Sequence, residues 1–529
     1  MKRTCKYLSY GASAVLIVMM MAATVVEKLQ GTPVAFQWFY HSPLFLILWA
    51  VAAIAGLIYL VLSGTPKRVF TMVLHIGLAV ILAGAMVTHL FGESGEIHLR
   101  EGESTSAYEL DDESPAELPF SIRLEEFAID YYEGTMRPLD YRSSITFLPE
   151  GNAVQISMNN IAKYRGYRFY QADYDEDGKG SILAVSHDPW GVGITYAGYL
   201  LLLLSMVGFF FQPETPFRKA LRRVATMTAA VAFFVFAPAV SASAQTPDFM
   251  LSSEAKVQAN QLYLQIARPQ VQFMLCLGLG IVLFVAGAVL ISRKQKFPRW
   301  VLLSGAAVAL LMWLYLTLVI GLRWYVSGTG PYVGRYNVMM LMAWFATLAI
   351  LLLYRRFPLV EPLGFLLAGF TMLLASRESV SPQIMPLMPV LRSPLLSIHV
   401  VSMMMSYTLF GLVAFNGIMG VAVPSREAKE SLRDVSLVVL YPAVFLLTFG
   451  TFLGAVWANI SWGSYWAWDP KETWALVTML VYSFTLHGGA LKPFRNPAFF
   501  HWFTIIAFLC VLITYFGVNL LLGGMHSYV

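Results

Sequence analysis

The chain has 529 residues, of which 57% are hydrophobic and 13% are charged. This balance excludes a water-soluble protein of this size and indicates an all-α polytopic membrane protein. The net charge of +5 is too small to indicate a nucleic-acid surface, so we expect the lipid bilayer as a partner and no nucleic acid. The three cysteines form no CxxC pair, which argues against a disulfide framework, a zinc site and a thiol catalyst.

Apolar runs of about 20 residues, the length that crosses a bilayer, recur along the chain. We predict about thirteen transmembrane helices, of which the ninth is the weakest because it is short and rich in glycine. They lie near residues 8–26, 43–62, 70–91, 192–212, 224–242, 269–291, 300–320, 337–354, 359–375, 397–422, 436–456, 473–490 and 499–522.

Two of these spans resemble signal sequences. The first follows Lys2 and Arg3 but has no convincing cleavage site, so we interpret it as a retained signal anchor. Residues 227–245 follow two arginines and end in Ser-Ala-Ser-Ala-Gln. An ordinary helix ending in small residues is the favoured interpretation there, and cleavage near residue 244 stays open. We divide the chain into an N-terminal part, residues 1–245 with four to five transmembrane helices, and a C-terminal part, residues 246–529.

One soluble piece, residues 92–190, separates the third span from the fourth. It contains short segments of alternating polarity, punctuated by Gly, Pro and Asp, which is typical of β-strands. These segments lie at residues 121–124, 143–147, 154–158 and 167–170. We therefore predict one small β-rich extracytoplasmic domain, too short for much core of its own and supported by the membrane part.

The orientation follows from Lys and Arg in the short loops, which collect on the cytoplasmic side. Basic loops alternate with the other loops in the way that thirteen spans require. The N-terminus is then cytoplasmic and the C-terminus external, in a bacterial inner membrane. Residues 92–190 and the tryptophan-rich loop, residues 457–474, both fall outside.

The tryptophan-rich loop contains the densest aromatic cluster of the chain. Residues 462–474 read Trp-Gly-Ser-Tyr-Trp-Ala-Trp-Asp-Pro-Lys-Glu-Thr-Trp. An aromatic belt at the membrane surface does not need this density. Glycine, aspartate and proline in the same segment favour a shaped loop. We predict a platform of aromatic faces, indole donors and one carboxylate for a large flat ligand, built from Trp462, Gly463, Trp466, Trp468 and Asp469.

Four of the nine histidines fall into two groups of matched depth. His399 and His526 lie at the external face, whereas His75 and His487 lie in the inner half of the bilayer. Two facing imidazoles about 4 Å apart could each lie about 2 Å from a haem iron. The alternative is that His75 and His487 only bond neighbouring helices. A histidine inside a membrane is a functional hypothesis, and the matched depth favours ligation.

The remaining polar residues give weaker signals. Five histidines are interpreted as interfacial or loop residues, with His41 and His89 the least secure because both lie at the outer face. Four external arginines break the charge pattern, and Arg335 and Arg392 are the better candidates for pairing with haem propionates. Ordinary solvated loop charge is the alternative for each. We expect no carboxylate buried within a span. The other residues named in these two groups are His98, His187, His501, Arg323 and Arg377.

Several motifs together resemble one family, the System II cytochrome c synthases in which a ResB-like protein is fused to a ResC-like protein. Residues 462–472 are similar to the family's tryptophan-rich motif. The regions around His399 and His526 resemble its external histidine regions, and His487 has the place of its second transmembrane histidine. In the N-terminal part the similarity lies at residues 40–45, 75–78, 166–171 and 188–189.

The resemblance implies bis-histidine ligation of haem b, as a substrate, by His75 and His487 inside the membrane and by His399 and His526 outside it. It implies a holocytochrome c synthase that transports haem and attaches it through thioether bonds to Cys-x-x-Cys-His motifs of apocytochrome c. Extracytoplasmic thiol-redox proteins would reduce the apocytochrome. The catalytic residues would be His399, His526, Trp462, Trp466, Trp468 and Asp469.

One feature departs from the family, because the external domain is small for such fusions. The alternative function is a haem exporter without ligation chemistry. An ion or small-solute transporter is disfavoured because the sequence shows no buried carboxylate and no convincing repeat. A structural scaffold is disfavoured because it does not explain the matched histidines.

Overall fold

The computed structural model describes residues 1–64, 68–132, 136–213, 215–225, 253–330, 332–355, 357–384 and 387–523. Ten helices in these ranges are long and apolar enough to cross a membrane, as expected of a multi-pass membrane protein. Two further predicted spans are the shorter helices Val360–Ala375 and Pro470–Leu486. The span predicted at 224–242 lies almost wholly outside the described residues.

The described residues of the N-terminal part contain six α-helices. They are α1 Lys2–Gln30, α2 Thr32–Ala35, α3 Pro43–Leu62, α4 Val69–Phe91, α5 Gly191–Phe211 and α6 Pro216–Ala225, with a π-helical segment, Phe36–Tyr40, between α2 and α3.

Helices α4 and α5 pack closely because glycines line their contact. A Cβ on Gly84 would lie 2.6 Å from the backbone nitrogen of Thr195, and one on Gly198 would lie 2.8 Å from that of Ile81. Small residues allow two transmembrane backbones to approach in this way. The face of α4 opposite these glycines is therefore turned away from α5.

Where the structure describes it, the C-terminal part contains nine α-helices and a π-helical segment after the last of them. They are α7 Ser253–Ile266, α8 Gln270–Ser292, α9 Arg299–Ser327, α10 Arg335–Leu353, α11 Val360–Ala375, α12 Pro394–Ala422, α13 Arg426–Ser461, α14 Pro470–Leu486 and α15 Pro497–Leu512, followed by Ile513–Leu522.

Glu361 shows that the expectation of no buried carboxylate within a span is wrong. It lies in the first turn of α11, is 1% exposed, and neither carboxylate oxygen has a hydrogen-bond partner in the described part of the chain. Gly305 of α9 makes room for it, since a Cβ there would lie 2.5 Å from its Oε2. The positive end of the helix dipole favours a carboxylate in this first turn.

The soluble piece is one antiparallel sheet of eight strands, which confirms the predicted β-rich domain. The strand order is β5-β4-β3-β2-β1-β8-β7-β6. All four predicted segments fall on strands. The strands are β1 Glu93–Arg100, β2 Ser104–Leu110, β3 Pro115–Tyr131, β4 Pro138–Leu148, β5 Asn152–Ser157, β6 Ala162–Tyr164, β7 Tyr167–Tyr174 and β8 Gly180–His187.

The β-domain has a continuous core of its own, so the expectation of little core is wrong. Alternate residues of the strands point inward, as Ile97 and Leu99 of β1 do. Phe147 of β4 stacks on Tyr164 of β6 at 4.4 Å, although these strands lie near opposite ends of the sheet order. The sheet therefore curves enough to bury its inner face against itself.

The membrane part supports the β-domain, as predicted, and Asn159 is the main link. Its Nδ2 donates to the carbonyl oxygen of Val390 at 3.1 Å. Its Oδ1 accepts from Trp457 Nε1 at 3.1 Å and from the Ser461 hydroxyl at 2.8 Å. Tyr132 adds a bond from its hydroxyl to the Leu387 carbonyl at 2.9 Å. The β-domain is thereby held beside the end of α13 that precedes the tryptophan-rich loop.

Candidate functional site

A cavity of about 170 Å³ opens on the β-domain side of the C-terminal part. Its wall is mostly apolar and carries a few converging polar groups, which is the usual character of a ligand site. The lining residues that bear on function are His399, Arg335, Trp466, Lys471, Glu472, Tyr515 and Asn519.

His399 of α12 is oriented by a backbone carbonyl. Its Nδ1 lies 2.6 Å from the carbonyl oxygen of Gly450. Because a carbonyl only accepts hydrogen bonds, Nδ1 carries the proton and Nε2 carries the lone pair. Metal-ligating histidines generally bond their other ring nitrogen in this way.

Gly454 leaves the space that the His399 ring occupies. A Cβ at this position would lie 2.7 Å from ring atoms of His399. The sequence alone does not identify Gly454 as a site residue. A glycine inside an apolar helix looks the same whether it faces lipid, a neighbouring helix or a histidine.

The predicted partner of His399 lies outside the described residues. His526 belongs to residues 524–529, so its pairing with His399 stays a prediction. The last described segment, Ile513–Leu522, contributes Tyr515 and Asn519 to the cavity wall.

The tryptophan-rich loop places its aromatic residues in different surroundings. Trp466 lines the cavity. Trp462 packs edge-on against Trp457 of α13 at 5.0 Å, and Trp468 stacks on Tyr40 of the N-terminal part at 4.7 Å. Of the three predicted platform tryptophans, Trp466 therefore lies at the cavity, whereas Trp462 packs against α13 and Trp468 against the N-terminal part.

Gly463 contacts the β-domain. Its φ is +85°, a conformation that favours glycine, and a Cβ there would lie 2.9 Å from the Tyr170 ring of β7. Its part in haem binding, like that of Trp462 and Trp468, remains a prediction.

Asp469 begins α14 and fixes the end of the loop. It is 4% exposed, and its Oδ1 accepts from the backbone nitrogen of Lys471 at 2.9 Å. Glu472, three positions on, accepts from the backbone nitrogen of Ala467 at 2.9 Å. This arrangement is close to a capping box, whose spacing is visible in the sequence. Glu472 was not among the predicted site residues, although its capping-box spacing from Asp469 is present in the sequence.

Lys471 links the loop to the end of the chain. Its Nζ donates to Asn519 Oδ1 at 2.8 Å, and both residues line the cavity. The sequence does not predict this pair, because only the fold brings the two residues together.

A chain of hydroxyl groups joins the loop to the N-terminal part. The Tyr465 hydroxyl donates to Thr88 Oγ1 at 3.0 Å, and Thr88 donates to Asp188 Oδ2 at 2.6 Å. Asp188 also accepts from the backbone nitrogens of Gly191 and Val192 and so caps α5. The conformation of the loop is therefore coupled to the ends of α4 and α5.

His75 and His487 meet on the side of the membrane part opposite the β-domain. Their ring centroids are 6.0 Å apart, with an interplanar angle of 83°. Each Nδ1 lies 2.7 Å from a carbonyl oxygen four residues earlier, that of Thr71 or of Ser483. Both rings therefore present Nε2 with its lone pair, as His399 does. These bonds go to carbonyls of each histidine's own helix segment and not to a neighbouring helix.

Family comparisons divide the chain into two parts. Residues 63–275 match the ResB-like family, and residues 332–526 match the cytochrome C assembly protein family. A cytochrome c biogenesis protein CcsA of Guillardia theta is 31% identical over 275 residues, which covers 45% of this chain and 89% of that protein. The chain belongs to the cytochrome c assembly family and carries a fused ResB-like part.

Two other relatives share the C-terminal similarity less completely. A CcsA protein of Chlamydomonas reinhardtii is 36% identical over 233 residues, which is 41% of this chain and 65% of that protein. Protein NrfI of Wolinella succinogenes is 34% identical over 290 residues, which is 53% of this chain but only 32% of NrfI. The matches thus span about a third of NrfI and just under two thirds of the Chlamydomonas protein.

The arginines of this cytochrome c assembly protein do not form one cluster. Arg335 lines the cavity, whereas Arg392 lies 5.9 Å over the Tyr132 ring of the β-domain. Arg323 is 6% exposed, and its Nε and Nη1 have no hydrogen-bond partner among the described residues. Arg377 is exposed. The cations on the described cavity wall are Arg335 and Lys471.

Three of the remaining histidines contact other residues within the fold. His98 bonds Asp175 at 2.9 Å, and His187 stacks on Tyr167 at 4.3 Å. His501 is buried and bonds the Lys429 carbonyl at 2.9 Å. His41 and His89 differ, because their exposed rings lie 5.7 Å apart.

Proposed function

We propose that this protein is a holocytochrome c synthase that carries haem b from the cytoplasmic side to the external cavity and promotes its attachment to apocytochrome c. The observation that carries the proposal is a hydrogen-bonding arrangement that His75, His487 and His399 have in common. Each bonds a carbonyl through Nδ1 and presents Nε2 as a ligand. The family membership and the names of the relatives support the same function.

The His75–His487 pair would receive haem on entry. The side opposite the β-domain is the proposed cytoplasmic side, because basic residues collect there. If each axial nitrogen lay about 2 Å from the iron, the two imidazole centroids would be about 6 Å apart. The His75 and His487 rings have this separation. One ligand comes from each part of the chain, so haem would bind where the two parts meet.

The cavity would hold haem for the attachment reaction, with His399 and His526 as the axial ligands. Trp466 supplies an aromatic face on its wall. Arg335 and Lys471 are suited to the two propionates, since both cations line the same space. Asp469 and Glu472 keep the loop in place through their backbone bonds.

The reaction would depend mainly on orientation. The histidine of the Cys-x-x-Cys-His segment replaces one axial ligand and brings the two thiols to the two vinyl groups. Each S–H adds across a vinyl double bond, so that sulfur bonds one carbon and the proton ends on the other. The addition consumes no electrons. A separate thiol-redox protein is needed only to keep the thiols reduced. Fixing which thiol meets which vinyl is the protein's contribution.

Substitution of the external ligands tests the proposal. In a host that lacks other cytochrome c assembly factors, His399→Ala and His526→Ala should abolish holocytochrome c while the chain still accumulates. His98→Ala, on the surface of the β-domain, is the matched control. Normal holocytochrome yield in both ligand variants would contradict the site. Haem binding without any holocytochrome from the unaltered chain would favour the exporter alternative.

A further inference from the structure

A second pair of neighbouring histidine rings lies on the β-domain side, outside the cavity. His41 follows the π-helical segment Phe36–Tyr40, and His89 lies in the last turn of α4. Their ring centroids are 5.7 Å apart with an interplanar angle of 48°. Both are exposed, and within the described part of the chain no hydrogen bond or ion pair involves either side chain.

The position of His89 on α4 relates this pair to the His75–His487 pair. His75 and His89 are fourteen positions apart on one helix. At 3.6 residues per turn and 1.5 Å per residue, they lie about 21 Å apart along the axis and within about 40° around it. Gly77 and Gly84 bring the opposite face of α4 against α5. One face of α4 therefore carries one histidine of each pair, near its two ends.

The surface between the two histidines is apolar. Leu82 and Met86 fall within about 20° of His75 on the helix circumference, between the two ends. Met86 is 39% exposed, so the described part of the chain does not cover this face there. Aliphatic and thioether side chains suit the apolar body of a porphyrin.

A series of aromatic rings leads from this pair to the cavity. Phe36 lies edge-on to His41 at 5.0 Å and to Tyr40 at 5.4 Å. Tyr40 stacks on Trp468 at 4.7 Å, and Trp468 meets Trp466 at 5.8 Å. Trp466 lines the cavity. The His41–His89 pair is thus connected by contact to the proposed attachment site.

We infer that His41 and His89 form a third bis-histidine haem site, a transit site between the His75–His487 pair and the cavity. The inference rests on the proposed haem transport. Haem leaving His75 would move along the Leu82 and Met86 face of α4, exchange its axial ligands for His41 and His89, and then pass to His399.

The direct test uses the full chain with His75, His399, His487 and His526 all replaced by Ala. Titrated with ferric haem in detergent, this background should give a six-coordinate low-spin spectrum. Adding His41→Ala or His89→Ala should weaken binding at least about tenfold and remove the low-spin bands. Free imidazole should restore the bands, and His98→Ala should leave them unchanged. A folded background chain without low-spin haem, or one whose spectrum ignores both substitutions, would overturn the inference.

A second measurement does not depend on the folding of that background. In the otherwise unaltered chain, combined His41→Ala and His89→Ala should lower holocytochrome yield at least about tenfold while haem remains on the His75–His487 pair. Unchanged yield would overturn the transit site but leave the proposed function intact. An unaltered chain that binds no haem at all would instead defeat the proposed function.

Discussion

The cavity and the His75–His487 pair are built differently. The described wall of the cavity comes wholly from the C-terminal part, between Tyr332 and Asn519. The His75–His487 pair takes one ring from each part. The cavity therefore depends on local packing within one family unit, whereas the His75–His487 pair depends on how two units dock. Under the proposed function, entry of haem and its covalent attachment would therefore be subject to separate structural requirements.

The docking of the two parts rests on polar links between buried helices. Trp474 Nε1 donates to the Thr24 hydroxyl of α1 at 3.1 Å, and the Tyr40 and Thr473 hydroxyls lie 3.3 Å apart. Lys6 Nζ donates to the Ala490 carbonyl at 3.1 Å, close to His487. These links determine where His487 stands relative to His75.

The largest expected effect comes from removing one ring of the His75–His487 pair. His75→Ala should lower the haem bound by the purified chain at least about tenfold and abolish holocytochrome, because the pair loses one of its two ligands. His399→Ala should abolish holocytochrome yet keep haem on the His75–His487 pair. Absorption spectra of both variants give the measurement. Equal haem loss in both would show that the two sites are not separate.

Gly454→Ala should damage the cavity alone. The new methyl group would stand 2.7 Å from the His399 ring, so the ring must shift and holocytochrome yield should fall about tenfold. Haem on the His75–His487 pair should be unaffected. Gly321→Ala is the matched control, since a Cβ there meets no atom within 4 Å. Equal yields from the two variants would argue against His399 as a ligand.

Gly463→Ala should loosen the contact between the tryptophan-rich loop and the β-domain. A non-glycine residue at φ +85° costs about 1–2 kcal/mol, and the methyl group would also press on Tyr170. The midpoint of thermal unfolding in detergent should fall, together with holocytochrome yield. Gly178→Ala, also at positive φ but with open space around its Cβ, separates backbone strain from the Tyr170 contact. An effect no larger than that of the control would mean that the contact contributes little.

The smallest expected effect separates capping from catalysis at Asp469. Asp469→Ala should cost about 1 kcal/mol of stability through loss of the helix cap, whereas Asp469→Asn should retain most of it. If Asp469 acts only as a cap, Asn should support nearly normal holocytochrome yield. A yield from Asn as low as that from Ala, at normal stability, would point to a direct role of the carboxylate.

Features that depend on local sequence were predictable. Each apolar run specifies its own helix, and alternation specified the strands at 143–147 and 167–170 without knowledge of their partners. The depth of His75 and His487 followed from their distance to the span ends. Their close approach was predicted because the two rings lie at the same depth in the bilayer.

Features that depend on rotation about a helix axis, or on contacts between distant segments, were not predictable. Trp462, Trp466 and Trp468 look equivalent in sequence, yet each meets a different surface. Gly454 matters because of the direction in which His399 points. Glu361 is buried because neighbouring helices cover the first turn of α11. None of these facts leaves a periodic signal along the chain.

The sharing of the His75–His487 pair between two family units has a consequence for assembly. Were the units separate polypeptides, the proposed haem entry site would form only at concentrations that favour their encounter, and its occupancy would follow the scarcer unit. Covalent linkage fixes the ratio at one to one and makes the encounter intramolecular, at an effective concentration that is in the millimolar range for short flexible links. A fused gene thus makes completion of the entry site independent of expression level.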